Sequence, residues 1–148
     1  MIYSGLRVLA SGVAEGPIAL LSSPLSLWGG IDPDDGTISD VSHPEHGLSI
    51  SGKVLAMRAA RGSSSSSTML VEIAKRGLGP TAIVLGRIDS ILVFGSLVAA
   101  ELYAISIPII LLPEHLWSTL PDSAWVEVHA SDTTATLQVS AFRNAGSR

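Results

Sequence analysis

At 148 residues the chain suits one domain, and a hydrophobic content of 47% excludes a disordered tail. Only 15% of residues are charged, against about 25% in ordinary soluble domains, so part of the surface is expected to be covered by another chain. The net charge of −4 and the missing lysine-rich stripe argue against nucleic acid, and the absence of cysteine excludes disulfides, thiolate nucleophiles and any cysteine-held cluster supplied by this chain.

Leu6 to Ala10 and Pro17 to Leu21 read as two short strands punctuated by Gly12 and Gly16. The N-terminus has Arg7 but no long apolar core with a cleavage site, so no signal peptide is expected. No apolar run reaches the roughly 18 residues of a membrane span, which predicts a cytoplasmic protein without membrane contact. Pro24 then opens PLSLWGGIDPDDGTISD, with Trp28, Gly29, Gly30 and Pro33 at its centre. Two readings stand: an exposed loop, or a substrate-facing loop held in place by Trp28. Its acidic spacing does not match a calcium loop. In His43-Pro44-Glu45-His46-Gly47 two histidines lie three apart, but Pro44 opposes a helix and no third ligand has a recognisable spacing. A hydrogen-bonded turn at a domain edge is the expectation there.

The stretch Ser51 to Ile73 organises the rest. An apolar strand, Val54 to Met57, runs into Arg58, Arg61 and Gly62, and Ser63 to Ser67 follow directly. Apolar structure flanks the serines too tightly for a linker, so they are expected to crown a helix N-terminus as an anion-binding or catalytic nest. Arg58 and Arg61 could clamp a carboxylate, although a strand can aim Arg58 elsewhere. No Gly-x-Ser-x-Gly elbow and no P-loop lysine are present, and no histidine has a spacing that pairs it with a serine, which argues against an autonomous hydrolase.

Leu70, Ile73, Ala74 and Leu78 share a helical face, and Gly77 or Gly79 can stop the helix before Pro80. Ala82 to Leu85 reads as a buried strand, and Gly86 to Ser90 as a loop ending in helix caps. Ile91 to Leu102 has helical length, with Gly95, Ser96, Ala99 and Ala100 as small packing surfaces. Ser106 to Leu112 reads as a strand made irregular by Pro108. This strand–helix alternation predicts parallel pairing with right-handed crossovers. Trp125 to Ala130 and Ala135 to Ser140 flank the turn Ser131 to Thr134 and predict a hairpin, and Asn144 to Arg148 reads as a frayed tail. Residues 1–148 thus read as one α/β domain of mixed strands with two main helices.

PLSLWGGIDP (Pro24 to Pro33), HPEHGLSISGKVLAM (His43 to Met57), RGSSSSS (Arg61 to Ser67) and VAAELYAISIPII (Val98 to Ile110) together resemble the small subunit of the aconitase X family. The resemblance covers roughly Leu6 to Leu112. It implies a swivelling β/β/α domain that closes over a larger, cysteine-bearing catalytic subunit holding an iron–sulfur cluster, as a heterodimer that dehydrates a small hydroxy acid. It also implies that Ser63, the first serine after Gly62, is the catalytic base. Ser64 would hydrogen-bond substrate. Gly30, Ile31 and Asp32 would approach the same cleft, and Arg61 would bind substrate.

Two departures matter. Ala60 stands where the family usually has a first glycine, and Ser65 replaces the arginine that follows the two serines of aconitase proper. The Trp28 loop, the HPEHG turn and the unbroken serine run look more like bacterial cis-3-hydroxy-L-proline dehydratases, which form Δ1-pyrroline-2-carboxylate, than like archaeal mevalonate-5-phosphate dehydratases. In that reaction, the resemblance implies, iron acts as Lewis acid on the 3-hydroxyl while Ser63 takes the α-proton. A non-catalytic swivel or partner-binding module is the reading of a different class.

Overall fold

In the computed structural model, which describes residues 1–140, three short apolar strands form the centre of the sheet. They are β3 (Val54–Met57), β4 (Ala82–Leu85) and β5 (Ile109–Leu111), joined in parallel as the alternation predicted. Each is apolar on both faces because both faces are covered. Val54, Ala56, Ala82, Val84 and Ile110 point into one core; Leu55, Met57, Ile83, Leu85 and Ile109 point into the other. Pro108 lies outside β5, and its carbonyl accepts from the Ile83 N–H at 2.9 Å.

The first two strands are longer than the sequence suggests: β1 (Ile2–Ala10) and β2 (Gly12–Leu20). Gly16 does not punctuate them. It is paired inside β2 opposite Val126, and a Cβ there would lie 2.6 Å from the Gly52 carbonyl oxygen, so glycine serves a close backbone approach. The hairpin of β6 (Trp125–Ala130) and β7 (Ala135–Ser140) forms as predicted. Pairing of β7 with β1 closes a barrel in the order β1-β5-β4-β3-β2-β6-β7, a closure that the sequence reading lacked. The expected fray of Asn144 to Arg148 lies outside the described residues.

One side of the barrel carries the two main helices, α2 (Ser65–Lys75) and α3 (Ser90–Tyr103); a single turn, α1 (Leu27–Gly30), precedes them in the chain. α2 buries Ser66, Leu70, Ile73 and Ala74, one face at helical spacing. Of the two candidate stops Gly77 is the one used. Its φ of +74° and the Leu78 N–H to Ile73 carbonyl bond at 2.8 Å make a Schellman end. Gly95 lets the helices meet, since a Cβ there would sit 3.0 Å from the Ser67 carbonyl oxygen. Ser96 and Ala99 are buried as expected, and Ser96 donates to the Ile107 carbonyl at 2.6 Å. Ala100 is not a packing surface; it faces outward. The remaining turn, α4 (Glu114–Trp117), inserts Trp117 into the barrel core with its indole N–H on the Leu112 carbonyl at 2.9 Å.

α3 ends on Ala104 in the left-handed region, φ 54°, a conformation that costs an alanine about 1–2 kcal/mol. Ala104→Gly removes that cost but adds freedom to the unfolded chain, so a net gain of about 0.5–1 kcal/mol is expected, read as a higher urea midpoint. An unchanged or lower midpoint would show the strain to be absent.

Candidate active site at the head of the second helix

The chain leaves the carboxyl end of β3, crosses Arg58 to Gly62 and turns into α2 on the serine run. This is the end of a parallel sheet where α/β folds place ligands. The helix begins as the sequence predicts. Ser63 is its functional cap, its Oγ accepting the Ser65 N–H at 3.1 Å and its carbonyl accepting the Ser66 N–H at 3.0 Å. Ser64 already has helical dihedrals, is exposed, and accepts from Ser67 Oγ through its carbonyl at 2.8 Å. Ser66 is buried, and its hydroxyl accepts the Trp28 N–H at 3.3 Å, which ties α1 to the head of α2.

Gly62 makes the turn possible. Its φ is +106°, and a Cβ there would lie 2.7 Å from Ser26 Cβ. Ala60, by contrast, bridges Leu25 in a parallel pair and is not among the residues with positive φ, so an alanine fits where a glycine was expected.

Ser63 and Arg61 line one small cleft with Leu25, Leu27, Asp89 and Ile91. Its volume is about 10 Å³, room for a single water. Asp89 caps α3 by accepting the Leu92 N–H at 2.9 Å, so two helix starts converge on this cleft. Arg61 is 64% exposed, 3.8 Å from Asp40, which is held below the usual carboxylate range by the Ser42 hydroxyl first and then the Ser42 N–H, with a smaller effect of Arg61 itself.

The predicted loop residues stand behind the cleft and none of them lines it. Gly30 packs on Leu25 and accepts the Ser39 N–H at 2.9 Å, while Ile31 is 2% exposed in the core. Asp32 closes its own turn by accepting the Asp34 N–H at 2.8 Å. Trp28 does not anchor the loop: it is 53% exposed, and Leu27 beside it is buried instead. Arg58 does not join Arg61 in a clamp. Its guanidinium pairs with Glu114 at 3.1 Å and lies over the Trp117 ring at 5.4 Å, in a separate crevice shared with Arg87. Ser66 and Asp89 were not singled out as site residues. Asp89 was legible as a cap, but nothing local in the sequence tells that its cap faces Ser63.

His43 is buried and holds the loop from behind. Its Nε2–H donates to the Ser23 carbonyl at 3.1 Å, its Nδ1 accepts the Glu45 N–H at 3.1 Å, and Glu45 Oε1 accepts the Ser22 N–H at 2.8 Å. The turn is hydrogen-bonded, as expected. An iron–sulfur cluster needs thiolate or equivalent ligands. The chain has no cysteine, and among the described residues no three His, Asp or Glu converge, so these residues do not fit such a cluster. No helix among the described residues is long and apolar enough to cross a membrane.

Residues 4–138 match the family described as the aconitase X swivel domain. The chain is 37% identical over 130 residues to the cis-3-hydroxy-L-proline dehydratase of Pseudomonas aeruginosa, covering 83% of this chain but 22% of that protein. It therefore spans about a fifth of the length of that relative. It is also 37% identical over 127 residues to the phosphomevalonate dehydratase small subunit of Methanothermobacter thermautotrophicus, covering 85% of this chain and 92% of that one. The crystal structure of Thermococcus kodakaraensis aconitase X in its holo-form superposes with a TM-score of 0.79 at 27% identity, covering 93% and 97% of the two chains. The α/β fold, the serine-headed helix and these matches agree, and the chain belongs to the aconitase X swivel-domain family.

Proposed function

We propose that this chain is the small subunit of a two-subunit, cytoplasmic hydro-lyase that dehydrates cis-3-hydroxy-L-proline, with Ser63 as the base. The observation that carries the proposal is Ser63 Oγ at the head of α2, accepting the Ser65 N–H. That donor and the positive end of the helix both favour negative charge on Oγ, the state in which a serine can take a proton. In the reaction Ser63 removes the proton from C2 and the hydroxyl leaves C3. One water is lost and a C2=C3 enamine forms. Protonation at C3 and loss of the ring N–H proton then shift the double bond to C2=N, giving Δ1-pyrroline-2-carboxylate.

Arg61, which lines the cleft, would hold the substrate carboxylate, and Ser64, next to Ser63 but outside the cleft lining, would hydrogen-bond substrate brought in with the second subunit. Gly30, Ile31 and Asp32 support the cleft wall from behind, through backbone bonds and core packing. The cleft is too small for the substrate, so the rest of the site comes from a cysteine-bearing large subunit, which would also hold the iron–sulfur cluster that this chain cannot ligate.

Mevalonate 5-phosphate is the second reading, favoured by the match to nearly the whole length of a phosphomevalonate dehydratase small subunit. A phosphate calls for several cations. Arg61 is the one cationic side chain lining the cleft among the described residues, and Asp89 adds an acidic group there. The test is co-expression with the large subunit and assay of the complex on both compounds. Turnover of cis-3-hydroxy-L-proline with none of mevalonate 5-phosphate is expected. The reverse result would overturn the substrate assignment, and full activity of the small chain alone would overturn the two-subunit arrangement.

A further inference from the structure

We infer that Asp89 accepts, through one water in the cleft, the proton that Ser63 gives up as it acts; this rests on the reading of Ser63 as the base. A serine hydroxyl carries its own proton, so it takes another only where a positioned group removes the first. Ser63 Oγ accepts the Ser65 N–H, but its own O–H has no acceptor among the described residues. No histidine lines the cleft, and Asp89 is the one acidic side chain that does so among the described residues. Asp40, the carboxylate facing Arg61, stands outside the lining and accepts both the hydroxyl and the N–H of Ser42.

Asp89 has an oxygen left over for this role. Its Oδ1 caps α3 by accepting the Leu92 N–H at 2.9 Å, and its Oδ2 has no partner among the described residues. Capping by itself does not call for an acid, because asparagine and serine cap a helix as well as aspartate does. Ser66 adds a third polar group. It is 4% exposed, lines the cleft and accepts the Trp28 N–H, while its own hydroxyl hydrogen has no acceptor among the described residues. A buried donor of this kind calls for a partner, and the cleft of about 10 Å³ has room for one water. That water accepts from Ser66 and from Ser63 and donates to Asp89, about three bonds being usual for a buried water. Two donors on one side and one acceptor on the other set the direction of the relay.

The step balances. The C2–H bond breaks and its proton bonds to Ser63 Oγ as the former Oγ proton passes to the water and a water proton passes to Asp89 Oδ2. The C2 electron pair forms the C2=C3 bond and expels the hydroxyl from C3. Asp89 ends as the neutral acid and returns its proton to solvent, which balances the expelled hydroxide, so one water is lost in all. With the transfers coupled, Ser63 never carries a full negative charge, and the head of α2 stabilises only the part that develops between them. Asp89 acts on Ser63 and not on the substrate, which makes it a positioning residue.

A cap and a proton acceptor are told apart by substitution. The complex with the large subunit is assayed on the compound it turns over, for wild type, Ser63→Ala, Asp89→Asn, Asp89→Ser and Asp89→Glu. The denaturant midpoint of each variant is measured alongside. Asparagine and serine keep the cap and lose the acceptor. D89N and D89S are expected to lower kcat by about 10²-fold, with KM within about twofold and the midpoint at its wild-type value. Glutamate keeps the acceptor and is a poorer cap. D89E is expected to be less stable than D89N and yet to turn over at least about tenfold faster. The solvent deuterium effect on kcat is expected to be larger in wild type, where two exchangeable protons move, than in D89N.

Near-wild-type kcat in D89N and D89S overturns the relay. A loss of activity that follows the midpoint across the three Asp89 variants also overturns it, by reducing Asp89 to a cap, as does an undiminished solvent effect in D89N. S63A decides the base reading by itself. Low turnover in S63A with unaffected D89N ends the relay alone, whereas full turnover in S63A ends the base and the relay together.

Discussion

Ser63→Ala is expected to lower the turnover number of the assembled enzyme by about 10²–10⁴-fold, the usual contribution of a positioned base. KM should change little, and affinity for the large subunit should stay within a few-fold, because the substitution removes only one small hydroxyl from an exposed position. The loss falls on kcat because the Oγ acts on the proton in flight and not on the resting substrate. Stability falls as well, by about 1 kcal/mol, since the same Oγ accepts the Ser65 N–H as a helix cap. The two effects separate when activity is measured well below the thermal midpoint. Near-wild-type turnover in S63A would remove the base and return the chain to the role of a non-catalytic swivel.

The second large effect is at the neighbouring position. Gly62→Ala places a methyl group against Ser26, with Cβ–Cβ at 2.7 Å, on a backbone whose φ of +106° already disfavours any side chain. Turning Ser26 to another rotamer does not relieve a clash between two Cβ atoms. The backbone must move, and it carries Ser63 with it. The cost is expected at about 2–4 kcal/mol, combining a strained dihedral with overpacking, and is measured as a drop in the denaturant midpoint. Activity should fall with it even where the protein is folded, because a displacement of about 1 Å at a base is enough to cost 10²-fold. Full activity in a folded G62A enzyme would mean that the path from Arg61 to Ser63 is not what positions the base.

Local order was readable where one segment contains its own reasons. The boundaries of β3, β4, β6 and β7 match the apolar runs because each run is short and bounded by glycine, proline or a polar turn. The start of α2 could be placed because serines satisfy the N–H groups that a helix leaves open, and its end because Gly77 takes the left-handed position. β1 and β2 were underestimated for the opposite reason. The parts missed contain Ser4, Gly5 and Glu15 and become strands only because β7 and β6, more than a hundred residues away, pair with them.

The same division runs through the site. Composition alone determined that this chain lacks the thiolates to hold a cluster, and the pattern of strand, arginine, glycine and serines determined that a polar helix start would follow β3. Both are local or countable properties. Tertiary structure decided which groups share the cleft: Arg58 turns away to Glu114 and Trp117, Ile31 goes into the core, and Asp89 arrives from the next crossover. It also decided between the two readings of the Trp28 loop: Trp28 stands in solvent at the head of α2 and does not hold the loop in place. An aromatic side chain is apolar whichever way it points, and only the turn at Trp28 and Gly29, with Leu27 filling the core beside it, sets its direction.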